Sequence, residues 1–276
     1  MKLSFLTTPL GVALVWLAIN TSAHACGPDT DCQIGDRYYR IRMPEGHDGV
    51  TRVGAIVFAH GYKGSAKGTM RNKSLAKVAS ELGVAFIATK SAGPDWSIPG
   101  APSQSVIAGA DELAYFDRVI EDAEKRFPID RERLMATGFS AGGMMVWNLA
   151  CHRPESFAAF LPMAGTFWEP VPETCEKPVA DIMHFHGDAD KIVPQSGRNI
   201  ADTRQGSVPD ALKMYAEFGE FGPAQKMTMA DMVCEEQTSP EGSLLRFCEF
   251  SGGHSFRSNY VKAAWQDFEK AGSFGD

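Results

Sequence analysis

The chemistry in this chain centres on Gly138-Phe139-Ser140-Ala141-Gly142-Gly143. The pattern Gly-x-Ser-x-Gly suits a strand that turns sharply into a helix with the serine at the apex, because a Cβ at either glycine would collide with a neighbouring element. A serine hydroxyl becomes a useful nucleophile only when a base takes its proton, and that base needs a carboxylate to hold its tautomer. Two downstream segments can supply these groups: Asp190 in His186-Gly187-Asp188-Ala189-Asp190, and His254 in Ser251-Gly252-Gly253-His254-Ser255. The chain order Ser140, Asp190, His254 is one in which such triads occur. Asp188 is the rival carboxylate, expected instead to cap its turn. His184 and His186 alternate with apolar residues on a strand-like run, so they read as core or supporting histidines, and His60 reads as fixing its own loop.

Acyl chemistry at Ser140 also needs donors for a developing oxyanion. The Ala141 N–H, at a helix start directly after the serine, is the first candidate, and the Tyr62 N–H in His60-Gly61-Tyr62-Lys63-Gly64 is the second. Trp96 and Trp168 lie in loops that can reach the same sheet edge, so both are expected to be exposed, substrate-stacking aromatics.

The elements that must position these groups are legible as patterns. Residues 36–43 alternate polar and apolar and predict an edge-like first strand. Residues 53–59 and 84–88 are continuously apolar, as strands covered on both faces of a parallel sheet would be. Residues 72–82 and 208–218 predict helices, and Leu113, Phe116, Val119, Ile120, Ala123 and Phe127 recur at helical spacing before Pro128. Further strands are expected at 134–137, 157–163 and 181–186, with a hairpin from runs at 227–234 and 244–250. The closing helix carries Tyr260, Val261, Ala264, Trp265 and Phe268 on one face. Strands alternating with helices predict an α/β fold with a mostly parallel, doubly wound sheet and helices on both faces. Groups from loops at the carboxyl ends of its strands would then share one edge.

From about Arg37 to Trp265 the chain resembles the secreted polyhydroxybutyrate depolymerase-like and feruloyl esterase group of α/β hydrolases. The resemblance rests on His60-Gly61, on Ile129-Asp130-Arg131-Glu132-Arg133 leading into Thr137–Gly143, on Leu149-Ala150-Cys151, Pro154 and Phe157, on His186–Pro194, and on Gly253-His254. It implies the α/β-hydrolase fold, Ser140 as nucleophile, Asp190 as acid, His254 as base, and no metal or organic cofactor. The His-Gly loop continues Tyr62-Lys63-Gly64, where the group commonly has cysteine and glutamine. The resemblance implies a secreted serine carboxylesterase; Trp96 and Trp168, if exposed, predict a preference for short-chain or aromatic acyl esters, feruloyl or acetyl groups on plant polysaccharide fragments among them. Hydroxybutyrate oligomers are the alternative substrate. A prolyl-oligopeptidase-like peptidase and a non-catalytic binding protein on the same scaffold are the competing classes.

Residues 1–25 combine Lys2, an apolar stretch over 10–19 and Ala23-His24-Ala25, which reads as a removable signal peptide ahead of a single domain, 26–276. The apolar run is too short to span a membrane. Cys26 directly after the cut opens the alternative of a lipid-modified terminus. Export places the protein in the periplasm or outside the cell, where the six cysteines are expected to pair as sequence neighbours: Cys26 with Cys32, Cys151 with Cys175, and Cys234 with Cys248. A net charge of −7 argues against nucleic acid and anionic membranes as partners. A small or oligomeric ester is the expected one.

Overall fold

The structure is a computed structural model and describes residues 26–105 and 109–275; the expected signal peptide, 1–25, lies outside the described residues. In chain order the elements are β1 (Cys32–Ile34), β2 (Arg37–Arg42), β3 (Val53–Ala59), α1 (Ala66–Met70), α2 (Lys73–Glu81), β4 (Ala85–Ala88), α3 (Glu112–Arg126), β5 (Ile129–Phe139) and α4 (Ala141–His152). There follow β6 (Ala159–Met163), β7 (Ile182–Gly187), β8 (Arg198–Ile200), β9 (Thr203–Gln205), α5 (Val208–Phe218), β10 (Gln225–Met229), β11 (Met232–Thr238), β12 (Leu244–Phe250) and α6 (Ser258–Ala271). One sheet runs in the order β1-β2-β4-β3-β5-β6-β7-β12-β11-β10, and β8 pairs with β9 apart from it. Its centre, from β4 through β3, β5, β6 and β7 to β12, is parallel, and both ends are antiparallel.

The continuous apolar runs are explained by two cores. Along β3, Ala55, Val57 and Ala59 face one core while Ile56 and Phe58 face the other, the two-residue period of a strand with both faces covered. Helices α3, α4 and α5 build the first core through Tyr115, Phe116, Trp147 and Tyr215. Helices α1, α2 and α6 build the second through Met70, Leu75, Tyr260, Trp265 and Phe268. Burying a side chain such as Val261 or Phe268 contributes roughly 1.5–3 kcal/mol, so the apolar stripe is sufficient reason for α6 to dock. Helix α2 starts where Asn72 accepts a hydrogen bond from Leu75 N at 3.0 Å, and α3 where Asp111 accepts one from Ala114 N at 2.9 Å.

Two expectations need correction. The strand at 36–43 is not at the sheet edge, because β1 pairs outside β2. The run 227–234 is not one strand. It reverses at Ala230 and Asp231, with Ala230 at φ 54°, so that β10 pairs back on β11 through Met229 opposite Met232. A turn made of ordinary residues interrupts no apolar pattern, which is why the pattern concealed it.

Three disulfides join Cys26 to Cys32, Cys151 to Cys175, and Cys234 to Cys248. The last links directly opposed residues of β11 and β12, and the first commits the Cys26 sulfur that lipid attachment would need. Mass spectrometry of the unreduced, denatured chain should therefore find no alkylatable thiol. The double variant Cys234→Ser/Cys248→Ser, whose cysteines are 14 residues apart, should lose about 3 kcal/mol of unfolding free energy in a denaturant titration, the chain-entropy value for a loop of about 15 residues. Free thiols in the unreduced protein would contradict this.

Candidate active site

Ser140 sits between β5 and α4 with φ 60° and ψ −121°, a conformation costly for a residue that bears a Cβ. It persists because its surroundings leave no alternative. Ser140 N–H donates to Met163 O at 2.9 Å, and Ser140 O accepts from Met144 N at 3.0 Å, so the turn is tied to β6 and to its own helix. A Cβ on Gly138 would lie 2.3 Å from Gly142 O, one on Gly142 1.9 Å from Ala59 O, and one on Gly143 2.4 Å from Met163 O. Each glycine thus marks a place where two backbones touch.

Asp190 and His254 meet across the same sheet edge. His254 Nδ1 lies 2.6 Å from Asp190 Oδ2, and Asp190 Oδ1 accepts from Ile192 N at 2.8 Å and Val193 N at 2.9 Å. Burial alone would raise the Asp190 carboxyl. Bonds from His186, His254 and the two backbone amides outweigh it and hold the group below the usual carboxylate range. Asp190 therefore stays ionised at any ordinary pH. Asp188 is exposed and accepts from Gly252 N at 3.0 Å, and Asp188 N and Ala189 N donate to Phe250 O and Gly252 O. The two loops are zipped so closely that a Cβ on Gly187 would meet the Gly252 and Gly253 carbonyls at 2.5 Å. The His254 ring lies against Phe139, with centroids 4.5 Å apart. Ser140 and His254 line one cleft, with no hydrogen bond between them among the described residues; in unliganded sites such bonds commonly tighten only when substrate arrives.

A feature that sequence reasoning did not resolve lies beneath Asp190. Trp147 Nε1 donates to His184 Nδ1 at 2.9 Å, His184 Nε2 lies 2.9 Å from His186 Nδ1, and His186 Nε2 lies 2.8 Å from Val193 O and 3.5 Å from Asp190 Oδ2. The indole can only donate, so His184 must accept at Nδ1 and donate from Nε2, and His186 must then donate from its own Nε2. One tryptophan fixes both tautomers. Burial, then the neighbouring His186, holds His184 well below the ordinary histidine value, so this ring stays neutral. The alternation of the two histidines on β7 was visible; the indole that orients them was not.

The loop after β3 is held as tightly. His60 Nδ1 lies 2.8 Å from Gly61 O, and His60 Nε2 receives Ser91 N at 3.2 Å. Lys63 N donates to Pro94 O at 2.7 Å and Gly64 N to Gly61 O at 2.9 Å. The Tyr62 N–H has no acceptor among the described residues, and the Ala141 N–H begins its helix without an intrahelical one. Both tryptophans depart from expectation. Trp96 is fully buried, donates to His60 O at 2.7 Å and packs on the His60 ring at 4.9 Å; Trp168 is 6% exposed and bridges to Gln205. Neither offers an open stacking face, because a large apolar ring gains more by wedging its loop than by facing water. Tyr62, 61% exposed, is the open aromatic instead. With Lys63, Phe58, Phe139 and Phe256 it borders a cleft of about 560 Å³ that holds Ser140 and His254.

Comparison with known proteins agrees with this architecture. The Prolyl oligopeptidase family model matches residues 108–168, the stretch around the elbow. A Nocardia uniformis subsp. tsuyamanensis protein provisionally named esterase NocK is 29% identical over 58% of this chain and 44% of its own length. An Aspergillus terreus protein provisionally named feruloyl esterase C is 28% identical over 59% of this chain and 58% of its own. The chain spans about half the length of these curated relatives. The acetyl xylan esterase structure from Aspergillus awamori superposes with a TM-score of 0.61 at 14% identity, covering 90% of this chain and 96% of the other. The fold is the α/β-hydrolase fold.

Burial is the main reason that His60 falls from 6.5 to about 4. The unfolded chain takes up this proton first, so the stabilisation from a neutral His60 is complete above pH 6.5 and is lost as pH falls toward 4, to the extent of about 3 kcal/mol. The thermal midpoint should fall over that interval. The fall should be shallower in His60→Asn, which retains a donor toward Gly61 O; identical slopes would assign the acid sensitivity elsewhere.

Proposed function

We propose that this chain is an exported serine carboxylesterase. In this reading Ser140 is the nucleophile, His254 the base, Asp190 the triad acid, and Ala141 and Tyr62 the backbone donors of the oxyanion hole, within one domain, 26–276, freed from its 1–25 signal. The observation that carries it is the 2.6 Å contact of His254 with the buried Asp190, with His254 and the strained Ser140 lining the same cleft. Esterase relatives and the three disulfides support the activity and the export in turn. Among the described residues no helix is long and apolar enough to cross a membrane.

In the reaction, His254 Nε2 takes the Ser140 proton as Oγ attacks the ester carbonyl. The charge moves to the carbonyl oxygen between the Ala141 and Tyr62 N–H groups, and the ionised Asp190 stabilises the imidazolium. His254 returns its proton to the leaving alcohol. Water, activated by the same ring, then releases the acid from Ser140. The open cleft between Tyr62, Phe139 and Phe256 favours a short or flat aromatic acyl group over a long alkyl chain, so feruloyl and acetyl esters on polysaccharide fragments are the proposed substrates.

Ser140→Ala should lower kcat/KM on p-nitrophenyl acetate by more than about 10⁴-fold, with the thermal midpoint unchanged. A residual tenth of the activity would sink the triad. On the same enzyme a feruloylated oligosaccharide should be turned over in preference to a hydroxybutyrate trimer or a long-chain ester. Trimer preference would instead favour the depolymerase alternative.

His186→Ala should lower kcat far more than it raises KM, because the substituted residue touches Asp190 and not the cleft, and its acid limb should move relative to wild type. An unaltered pH profile with a proportionate loss of folded protein would reduce His186 to a packing residue.

A further inference from the structure

Helix α1 is a thin wall between two cavities. Ser65, Gly68, Thr69 and Asn72 border the cleft that holds Ser140. Lys67, Met70, Arg71 and Lys73 border a second cavity of about 800 Å³, closed on its other side by Arg40 and Arg42 of β2. The chain as a whole is acidic, with 34 Asp and Glu against 27 Lys and Arg, yet five cations surround this one space. Asp29 is the carboxylate in its lining, and Asp31 is taken by Arg40 Nε at 2.5 Å. Among the described residues no carboxylate pairs with Arg42, Lys67, Arg71 or Lys73, and Arg42 Nε is buried without a hydrogen-bond partner. Lys67 and Arg71 stand four residues apart on one helical run, a like-charge spacing that works against α1. Their place at the C-terminal end of α1, where cations are favourable, offsets part of that cost, but nothing local accounts for the unpaired Arg42 facing them.

We propose that the cavity is a binding site for a carboxylate-bearing oligosaccharide, an acidic glycan whose ester-bearing portion reaches Ser140 across α1; this rests on the esterase reading above. The cations come from three elements, Arg40 and Arg42 from β2, Lys67 and Arg71 from the α1 run and Lys73 from α2, and charge contributed from several sides suits a ligand with charges repeated along a chain. Residues of the α1 run line both cavities, and an α-helix is about 10–12 Å across, so a few sugar units are enough to reach from one to the other. Guanidinium forks match carboxylates in a bidentate manner, and lysines add attraction that salt weakens.

The test measures binding to the Ser140→Ala protein, so that no ester is consumed. Calorimetry with tetragalacturonate should show saturable binding that weakens as salt rises, with no binding of the uncharged xylotetraose. Lys67→Glu/Arg71→Glu in the same background should weaken tetragalacturonate binding by about tenfold or more while its thermal midpoint matches the parent. The proposal is overturned if xylotetraose binds equally, if the double variant binds as the parent does, or if inorganic phosphate or vesicles of anionic phospholipid bind at this site in place of tetragalacturonate. Turnover of p-nitrophenyl acetate by the wild-type chain is measured separately: its absence counts against the esterase reading alone, and loss of glycan binding against this site alone.

Discussion

The contact on which the molecule depends is the one between the β3 and elbow backbones, where the place of a Gly142 Cβ lies 1.9 Å from the Ala59 carbonyl oxygen. No side chain fits there, so β3 and the start of α4 are pressed together. Gly138 meets the same crowding from Gly142 and Ala59, and Gly143 meets it from Met163 on the far side. Because β3 ends at Ala59, this closeness also fixes where the His60–Gly64 loop leaves the sheet. The same packing that holds Ser140 at positive φ sets where the Tyr62 loop and the start of α4 leave the sheet.

Around this fixed point the other groups are held by polar bonds that oppose burial. Asp190 is a carboxylate with no exposed side-chain surface, and isolated it would gain a proton. The bonds from two amides and two imidazoles reverse that tendency. Each of those donors is itself restrained: His186 by the indole of Trp147 through His184, and His254 by Phe139 and the zipped loops around Gly187 and Gly252. A chain of obligatory donors thus runs from the interior of α4 to the carboxylate through Trp147, His184 and His186, none of which lines the cleft. On the other side the buried Arg37–Glu112 pair does similar work. Glu112 accepts the amides of Ala92 and Ser97 at 3.2 Å, holding the loop in which Trp96 supports His60.

The parts of this architecture legible beforehand were those written as local periodicity. The 53–59 run reads as a doubly covered strand, 208–218 as a helix and the 260–268 stripe as a docked helix because burial acts on residues close in sequence, and each lies where expected. The glycines around Ser140 were legible for a related reason, since excluding a Cβ leaves its mark in the residue type. Less legible was the reversal at Ala230–Asp231, where no glycine or proline marks the turn, and the three-residue β1 that removes β2 from the edge.

For the candidate site, the sequence by itself determined which side chains could do the chemistry and in what order they occur, together with the cysteines that could pair as neighbours. The tertiary structure decided which of those side chains meet. It brings Asp190 rather than Asp188 to His254, turns both His184 and His186 inward, and buries Trp96 and Trp168, leaving Tyr62 at the cleft mouth. The physical reason is the same in each case. Whether an indole faces water or wedges a loop, and which of two aspartates two residues apart is desolvated, depends on surfaces supplied by segments far away in the chain, and no local pattern carries that information.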